Sequence, residues 1–332
     1  MTKDRLYGLL IFGMLMVSLF FISCRTGHPE IKGYITKVPF PEDNPQSDEK
    51  IALGRRLFFD KRLSRDGSIS CATCHSPEFA FTDRKRFSEG VGGGLTERNA
   101  PSLLNSAFLK TVMFDAHLAS LEMQVIVPIQ EHVEMDMKMG DLIDRLSKDE
   151  YYMEAAWRIY KRKFDPYVLT RSIAAFERSL LSLDSRFDRY LYGKDKNALT
   201  EQEKRGWKIF SDQLYCTKCH PAPYFTTFDP ACNGLYSDYG NDQGRFRIHH
   251  DTADIGLFKI PSLRNIELTY PYMHDGSIKD LNEVIVHYAS GGRAHFNKSP
   301  FIRPFDISQE DKKDLIAFLR SLTDTSYMKV FR

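Results

Sequence analysis

The chain has 332 residues, of which 42% are hydrophobic and 27% charged. That suffices for about two globular domains with sizeable cores, and it excludes a disordered, collagen-like or multi-pass membrane protein. Lys and Arg number 46 against 44 Asp and Glu, a formal charge of +2 with no long run of one sign, which argues against an electrostatic nucleic-acid binder.

In chain order, Lys3 and Arg5 precede an uncharged run over residues 6–23, and Cys24 follows at once. A basic start, an apolar stretch and a small residue before the break describe an export signal over residues 1–23. Phe21, Ile22, Ser23 and Cys24 resemble the lipobox of bacterial lipoproteins, with Phe21 departing from the usual aliphatic residue. The resemblance implies that Cys24 is lipidated and becomes the new N-terminus. An uncleaved membrane anchor is the alternative, since the run is close to the ~20 residues that span a bilayer. Either reading places the folded part in the periplasm, tethered to a membrane. Residues 24–47, rich in Gly, Pro and polar side chains, read as a spacer.

Ser47 or Asp48 can cap a helix through Ile51, Gly54, Leu57 and Phe58, ahead of Cys71, Cys74 and His75. The pattern returns where Thr200 and Glu203 form a capping box and Gly206, Ile209 and Phe210 precede Cys216, Cys219 and His220. Both passages share a Gly-x-x-aliphatic-Phe frame before CxxCH, so two related modules are expected. Between them, residues 142–160 and 167–192 read as long amphipathic helices, the second entered through Asp165 and Pro166. Leu281, Val284, Ile285 and Tyr288 follow one helical stripe, and Ser308 opens a last helix. Strand-like alternation is scarce, so the fold class is mainly α. The glycine run at 90–94 lacks P-loop spacing and reads as a flexible loop.

The chemistry lies in the cysteines. Two thiols two residues apart can hold a c-type haem by thioether bonds, and the next His can reach the iron. A zinc site is disfavoured because the pairs stand far beyond the ~15 to 20 residues of a zinc ribbon, and a thioredoxin-like pair because no βαβ pattern surrounds them. Cys232 is left over and reads as a buried apolar thiol. Each haem has a second axial position, for which Met273, Tyr288, several His and several carboxylates are candidates that spacing does not separate.

The segments FKIPSLRNIELTYPYMHDG (258–276) and LEMQVIVPIQEHVEM (121–135), with the paired CxxCH motifs, resemble the bacterial dihaem cytochrome c peroxidase and MauG family. The resemblance implies two cytochrome c-like haem domains packed together, residues 48–195 carrying the peroxidatic haem and 196–326 the electron-transfer haem. It makes His75 and His220 the proximal ligands, and Gln124, Pro128 and Glu134 the distal catalytic set. A carboxylate near open iron can take a proton from one peroxide oxygen and deliver it to the other. The sixth ligand of the second haem falls on Tyr288, with Met273 as the alternative. A calcium ion is implied at Asn99, Thr269 and Pro271, since calcium accepts carbonyl oxygens.

Two positions depart from the family pattern. Val91 stands where members needing reductive activation carry a blocking His, which implies an open first haem. Phe114 replaces a Trp between the haems, and Phe is much harder to oxidise. The expected function is reduction of hydrogen peroxide with electrons from a small cytochrome or other periplasmic redox protein. A MauG-like enzyme that oxidises residues of a partner protein, and a dihaem electron carrier without catalysis, are the alternatives. Purified holoprotein should hold two covalent haems per chain; a haemochrome assay returning one or none, or zinc in their place, refutes the reading.

Overall fold

The computed structural model describes residues 37–331, so the export segment, Cys24 and the first part of the spacer lie outside the described residues. Ser47 accepts the Lys50 amide at 3.2 Å and so caps α1 (Asp48–Phe58), satisfying one of the orphan donors of a helix start. There follow α2 (Cys71–Cys74), α3 (Leu121–Gln124), α4 (Ile126–Gln130), α5 (Met139–Leu146), α6 (Glu150–Tyr160), α7 (Pro166–Arg178) and α8 (Arg186–Leu191). The second half carries α9 (Glu201–Lys208), α10 (Phe246–His249), α11 (Leu281–Ala289) and α12 (Gln309–Ser321). Strands β1 (Pro230–Ala231) and β2 (Phe258–Lys259) pair antiparallel. The fold is mainly α, as expected. Among the described residues no helix is long and apolar enough to cross a membrane.

Three local expectations are corrected. The helix expected over 142–160 is two, because Asp149 turns its carboxylate onto the Tyr151 amide at 3.0 Å and caps α6 afresh. The one expected over 167–192 ends at Arg178, and Ser185 and Asp188 open α8 with a reciprocal capping box. The spacer is docked at its end: Val38 is buried, and the fully buried Asn44 donates to Glu122 at 2.7 Å and to the Arg171 carbonyl at 3.0 Å.

Two helix crossings organise the halves. A Cβ built on Gly54 of α1 would stand 1.8 Å from the Ser172 carbonyl oxygen of α7, and one on Gly206 of α9 would stand 2.0 Å from that of Asp314 on α12. Phe176 and Phe318 cover the two glycines in the same way. The shared Gly-x-x-aliphatic-Phe frame is therefore a packing rule: glycine lets the helices touch, and the aromatic fills the space beside the contact. One hydrophobic cluster gathers around Leu57, Phe58, Phe81 and Phe176, a second around Phe187, Phe210, Phe225 and Phe318. The C-terminal turn returns to the first cluster, where Tyr327 donates to the Pro77 carbonyl at 3.2 Å and Phe331 packs 5.6 Å from the Phe81 ring.

Buried ion pairs lock these layers. Arg178 grips Glu122 through two bonds of 2.6 and 2.7 Å, tying α3 to α7. Arg264 grips Asp188 at 2.8 and 2.7 Å, tying the loop after the second motif to α8. Bidentate geometry is what lets such pairs offset their desolvation. Gly206→Ala should cost about 1–3 kcal/mol by forcing α9 from α12. Gly140→Ala, where a Cβ meets nothing within 4 Å, should gain a few tenths to about 1 kcal/mol from helix propensity. Denaturant midpoints of the two holoprotein variants check both signs.

Candidate active site

The first motif sits on a single helical turn. Ser70 and Thr73 cap it reciprocally, and His75 closes it with its amide on the Cys71 carbonyl at 3.0 Å. His75 Nδ1 lies 2.9 Å from the Phe81 carbonyl oxygen, and His220 Nδ1 lies 2.9 Å from that of Phe225. A carbonyl can only accept, so Nδ1 carries the proton in both rings and Nε2 keeps its lone pair. Burial lowers both imidazole pKa values, that of His220 to about 4, which keeps the rings neutral and ligand-ready. Cys71, Cys74, Cys216 and Cys219 are all free thiols. These donors fit covalent haem: two unpaired sulfurs and one oriented imidazole nitrogen in each half. Among the described residues no group of three or more His, Cys, Asp and Glu gathers as a metal site, so the two CxxC pairs do not meet as a zinc centre would require.

A second frame, unused in the sequence reading, repeats at a constant offset. Pro101, Ser102, Leu103 and Asn105 match Pro261, Ser262, Leu263 and Asn265. Ser102 donates to the Ala80 carbonyl and Ser262 to that of Tyr224, each at 2.6 Å, one residue before the carbonyl that holds each histidine. Asn105 and Asn265 take left-handed φ values of 63° and 58°, and both bond to Ser182. The offset continues through the paired bridges Val112 to Leu118 and Tyr272 to Ile278 and the helix caps Ser120 and Asp280. Along the next helix it sets Pro128 opposite Tyr288.

In the first half, Gln124 and Pro128 stand one turn apart. Pro128 lies inside α4 and has no N–H to offer the Gln124 carbonyl four residues before it, and the break between α3 and α4 falls between them. The Met135 amide bonds back to the Pro128 carbonyl at 3.1 Å, which sets the Glu134 backbone beside that turn. Glu134 acts electrostatically on both Cys71 and Cys74. Its carboxyl is pushed up to about 7 by burial and, secondarily, by the Glu131 charge. The glycine run is anchored rather than loose. Val91 is buried and donates its amide to the Glu134 carbonyl at 2.8 Å, and a Cβ on Gly90 would meet the Val133 oxygen at 2.1 Å.

In the second half, Tyr288 lies within electrostatic reach of Cys219 and Cys216; burial raises its phenol pKa, and a hydrogen bond from Asn233 opposes the rise. Asn233 Nδ2 is also 3.3 Å from Met273 Sδ. Both candidate ligands thus converge on one asparagine that sequence reasoning missed, since a lone Asn in a loop carries no spacing signal. Trp157 is 63% exposed and Trp207 belongs to the second aromatic cluster.

Asn99 joins the halves. Its amide donates to the His274 carbonyl at 3.1 Å, its Nδ2 to the Pro271 carbonyl at 2.9 Å, and its Oδ1 is buried without a partner. Thr269 lies two residues before Pro271, its hydroxyl turned onto the Ile266 carbonyl at 3.3 Å. An orphaned amide oxygen beside a carbonyl is an oxygen-donor set of the kind calcium takes. Nearby, Arg98 bridges Asp115 at 2.9 Å and Asp242 at 2.7 Å, and the Phe114 carbonyl accepts the Lys259 amide at 2.7 Å.

Comparison with known proteins agrees with this geometry. Residues 48–196 match the model of the di-haem cytochrome c peroxidase family. The chain is similar to a methylamine utilization protein MauG of Methylorubrum extorquens, 37% identical over 86% of this chain and 81% of that one. It is similar to the cytochrome-c peroxidase IdrP1 of a Pseudomonas species at 33% identity, covering 89% and 86%. A solved MauG-like protein associated with microbial copper homeostasis superposes with a TM-score of 0.83 at 36% identity, covering 89% of this chain and 95% of that one. Two CxxCH turns with oriented histidines, and relatives along nearly the whole described length, make this chain a member of the di-haem cytochrome c peroxidase and MauG family.

Proposed function

We propose that the chain is a periplasmic dihaem peroxidase, reducing hydrogen peroxide in the His75 half, residues 48–195, with electrons drawn through the His220 half, residues 196–326. The observation that carries this is the asymmetry at matched positions: Pro128 stands where the second half has Tyr288, with Glu134 facing the same motif. Proline offers no ligand atom, so at this position the chain would supply no second ligand to a haem held by His75. A plain electron carrier would need a ligand there.

Haem bound by Cys71, Cys74 and His75 supplies the iron on which peroxide is cleaved. Gln124 holds the peroxide by hydrogen bonding. Glu134 takes the proton of the near oxygen and returns it to the leaving one. Two electrons and two protons then convert one peroxide to two waters, the electrons coming from a small cytochrome or other periplasmic redox protein. Val91 in place of a blocking His lets the oxidised enzyme react without prior reduction. Asn99 Oδ1 and the carbonyls of Thr269 and Pro271 would be the donors to a calcium ion. Cys24 carries the lipid that tethers the protein to the membrane.

Glu134 must be a carboxylate to accept the proton, and its pKa is pushed up to about 7. Turnover should therefore rise as pH increases through about 7. Glu134→Gln should retain both haems while losing that inflection and slowing peroxide reduction roughly 10² to 10⁴-fold. Unchanged turnover in a fully loaded variant would refute the assignment.

A MauG-like role, oxidation of a partner protein, is favoured by Tyr288 and the Asn233 N–H donated to it. A phenolate stabilises ferric and higher states, whereas Met favours ferrous iron. Met273→Leu should leave the ferric spectrum and midpoint potentials nearly unchanged, and Tyr288→Phe should raise the second potential. A sulfur-to-iron charge-transfer band that vanishes in Met273→Leu would make Met273 the ligand and the protein an ordinary cytochrome-fed peroxidase.

A further inference from the structure

Beyond the second motif lies a cluster of oxidisable side chains that peroxide cleavage does not use. Cys232 is fully buried, and its Sγ lies 3.4 Å from the Tyr239 hydroxyl and 3.7 Å from His295 Nδ1. His295 Nδ1 accepts the Asn297 amide at 3.1 Å, which marks it as the unprotonated ring nitrogen. The Tyr239 hydroxyl can therefore donate to sulfur while the thiol proton faces a nitrogen able to take it. The Tyr236 ring lies 5.8 Å from that of Tyr239, edge to face, and its hydroxyl donates to Asp275 Oδ2 at 2.7 Å. Tyr239 is buried and Tyr236 half-buried, so the pair leads outward. At its inner end, Cys232 adjoins Asn233, whose Nδ2 lies 3.3 Å from Met273 Sδ and whose side chain lowers the Tyr288 phenol pKa against the effect of burial.

We propose that Tyr239 and Tyr236 form a relay that carries oxidising equivalents from the second haem site to the surface, with Cys232–His295 and Asp275 as proton acceptors. The relay rests on the peroxidase reading, which supplies the oxidant. When no donor is present, Tyr239 gives up an electron. Its phenolic proton passes to Cys232 Sγ while the thiol proton moves to His295 Nδ1, which releases its bond from the Asn297 amide to take it. Tyr236 then restores Tyr239 by giving an electron, and its own proton goes to Asp275. Tyr239 is thereby free to supply the second electron. The net change is that two tyrosines each lose a hydrogen atom and one peroxide becomes two waters.

Holoenzyme treated with peroxide, without donor and with a nitroso spin trap, tests this by electron paramagnetic resonance and peptide mass spectrometry. The expected result is a radical signal that narrows when ring-deuterated tyrosine is incorporated, and a trap adduct on Tyr236. The adduct should be lost in Tyr239→Phe and in Cys232→Ala, with both haems still bound. An adduct only elsewhere in the chain, or undiminished labelling of Tyr236 in Tyr239→Phe, overturns the relay alone. Where Tyr239→Phe binds no haem, undiminished labelling in Cys232→Ala overturns it. A wild-type holoenzyme that leaves peroxide unconsumed defeats the peroxidase reading and the relay with it.

Discussion

The bond from each imidazole Nδ1 to a backbone carbonyl, Phe81 for His75 and Phe225 for His220, is the constraint on which the rest depends. Without it either tautomer is accessible and the ring can turn; with it, one nitrogen is committed to the chain and the other is left for a metal. The carbonyl that accepts is itself held. Ser102 and Ser262 clamp the preceding residue's carbonyl, and the rings of Phe81 and Phe225 are fully buried in the two hydrophobic clusters. Those clusters form because glycine lets α1 reach α7 and α9 reach α12. The ligand geometry is thus fixed by helix packing several residues away.

A duplicated scaffold makes difference informative. The two halves agree in the glycine contact, the CxxCH turn, the Pro-Ser-Leu-x-Asn brace and the loop bridges, and they diverge on the helix that follows. There Pro128 answers to Tyr288 and Gln124 to Val284. One half has exchanged a side chain with a ligand atom for a ring without one, and an apolar residue for an amide. The helix pays in continuity, since Pro128 leaves α3 and α4 as two short pieces where α11 runs unbroken over Leu281–Ala289. Loss of regular structure at one of two matched places is the mark expected of a functional site.

Much of this was legible in the sequence because it rests on spacing. CxxCH, the Gly-x-x-aliphatic-Phe frame and the caps at Ser47, Thr200 and Ser308 are local rules, and the structure keeps them. The breaks at Asp149 and Ser185 were missed because apolar periodicity continued across them, while a side-chain oxygen competed locally for the backbone. The glycine run at 90–94 looked loose because composition records no neighbours; its fixity comes from the close approach of Gly90 to the 133–134 backbone. Asn233, His295 and the orphan oxygen of Asn99 were invisible for a simpler reason. Asn233 and His295 act through partners distant in sequence, and the Asn99 oxygen is marked only by lacking one; a single chain read without its fold shows neither.

The junction between the halves follows from the same logic. Phe114 cannot serve readily as an oxidisable step, yet its carbonyl is fastened to the Lys259 amide on β2. Arg98 stacks its guanidinium 5.8 Å from the Phe114 ring and 5.2 Å from the Phe258 ring while bridging Asp115 and Asp242. The Phe258 ring in turn stacks on His274 at 3.7 Å, and His274 offers its carbonyl to Asn99. Backbone hydrogen bonds, an ion-pair bridge and stacked rings therefore all meet at one place. What these contacts provide is rigidity where the two halves of the chain meet. The Tyr239 ring packs on the same stack, 5.7 Å from Phe258 and 6.2 Å from His274, so the inner tyrosine of the proposed relay is braced by the junction itself.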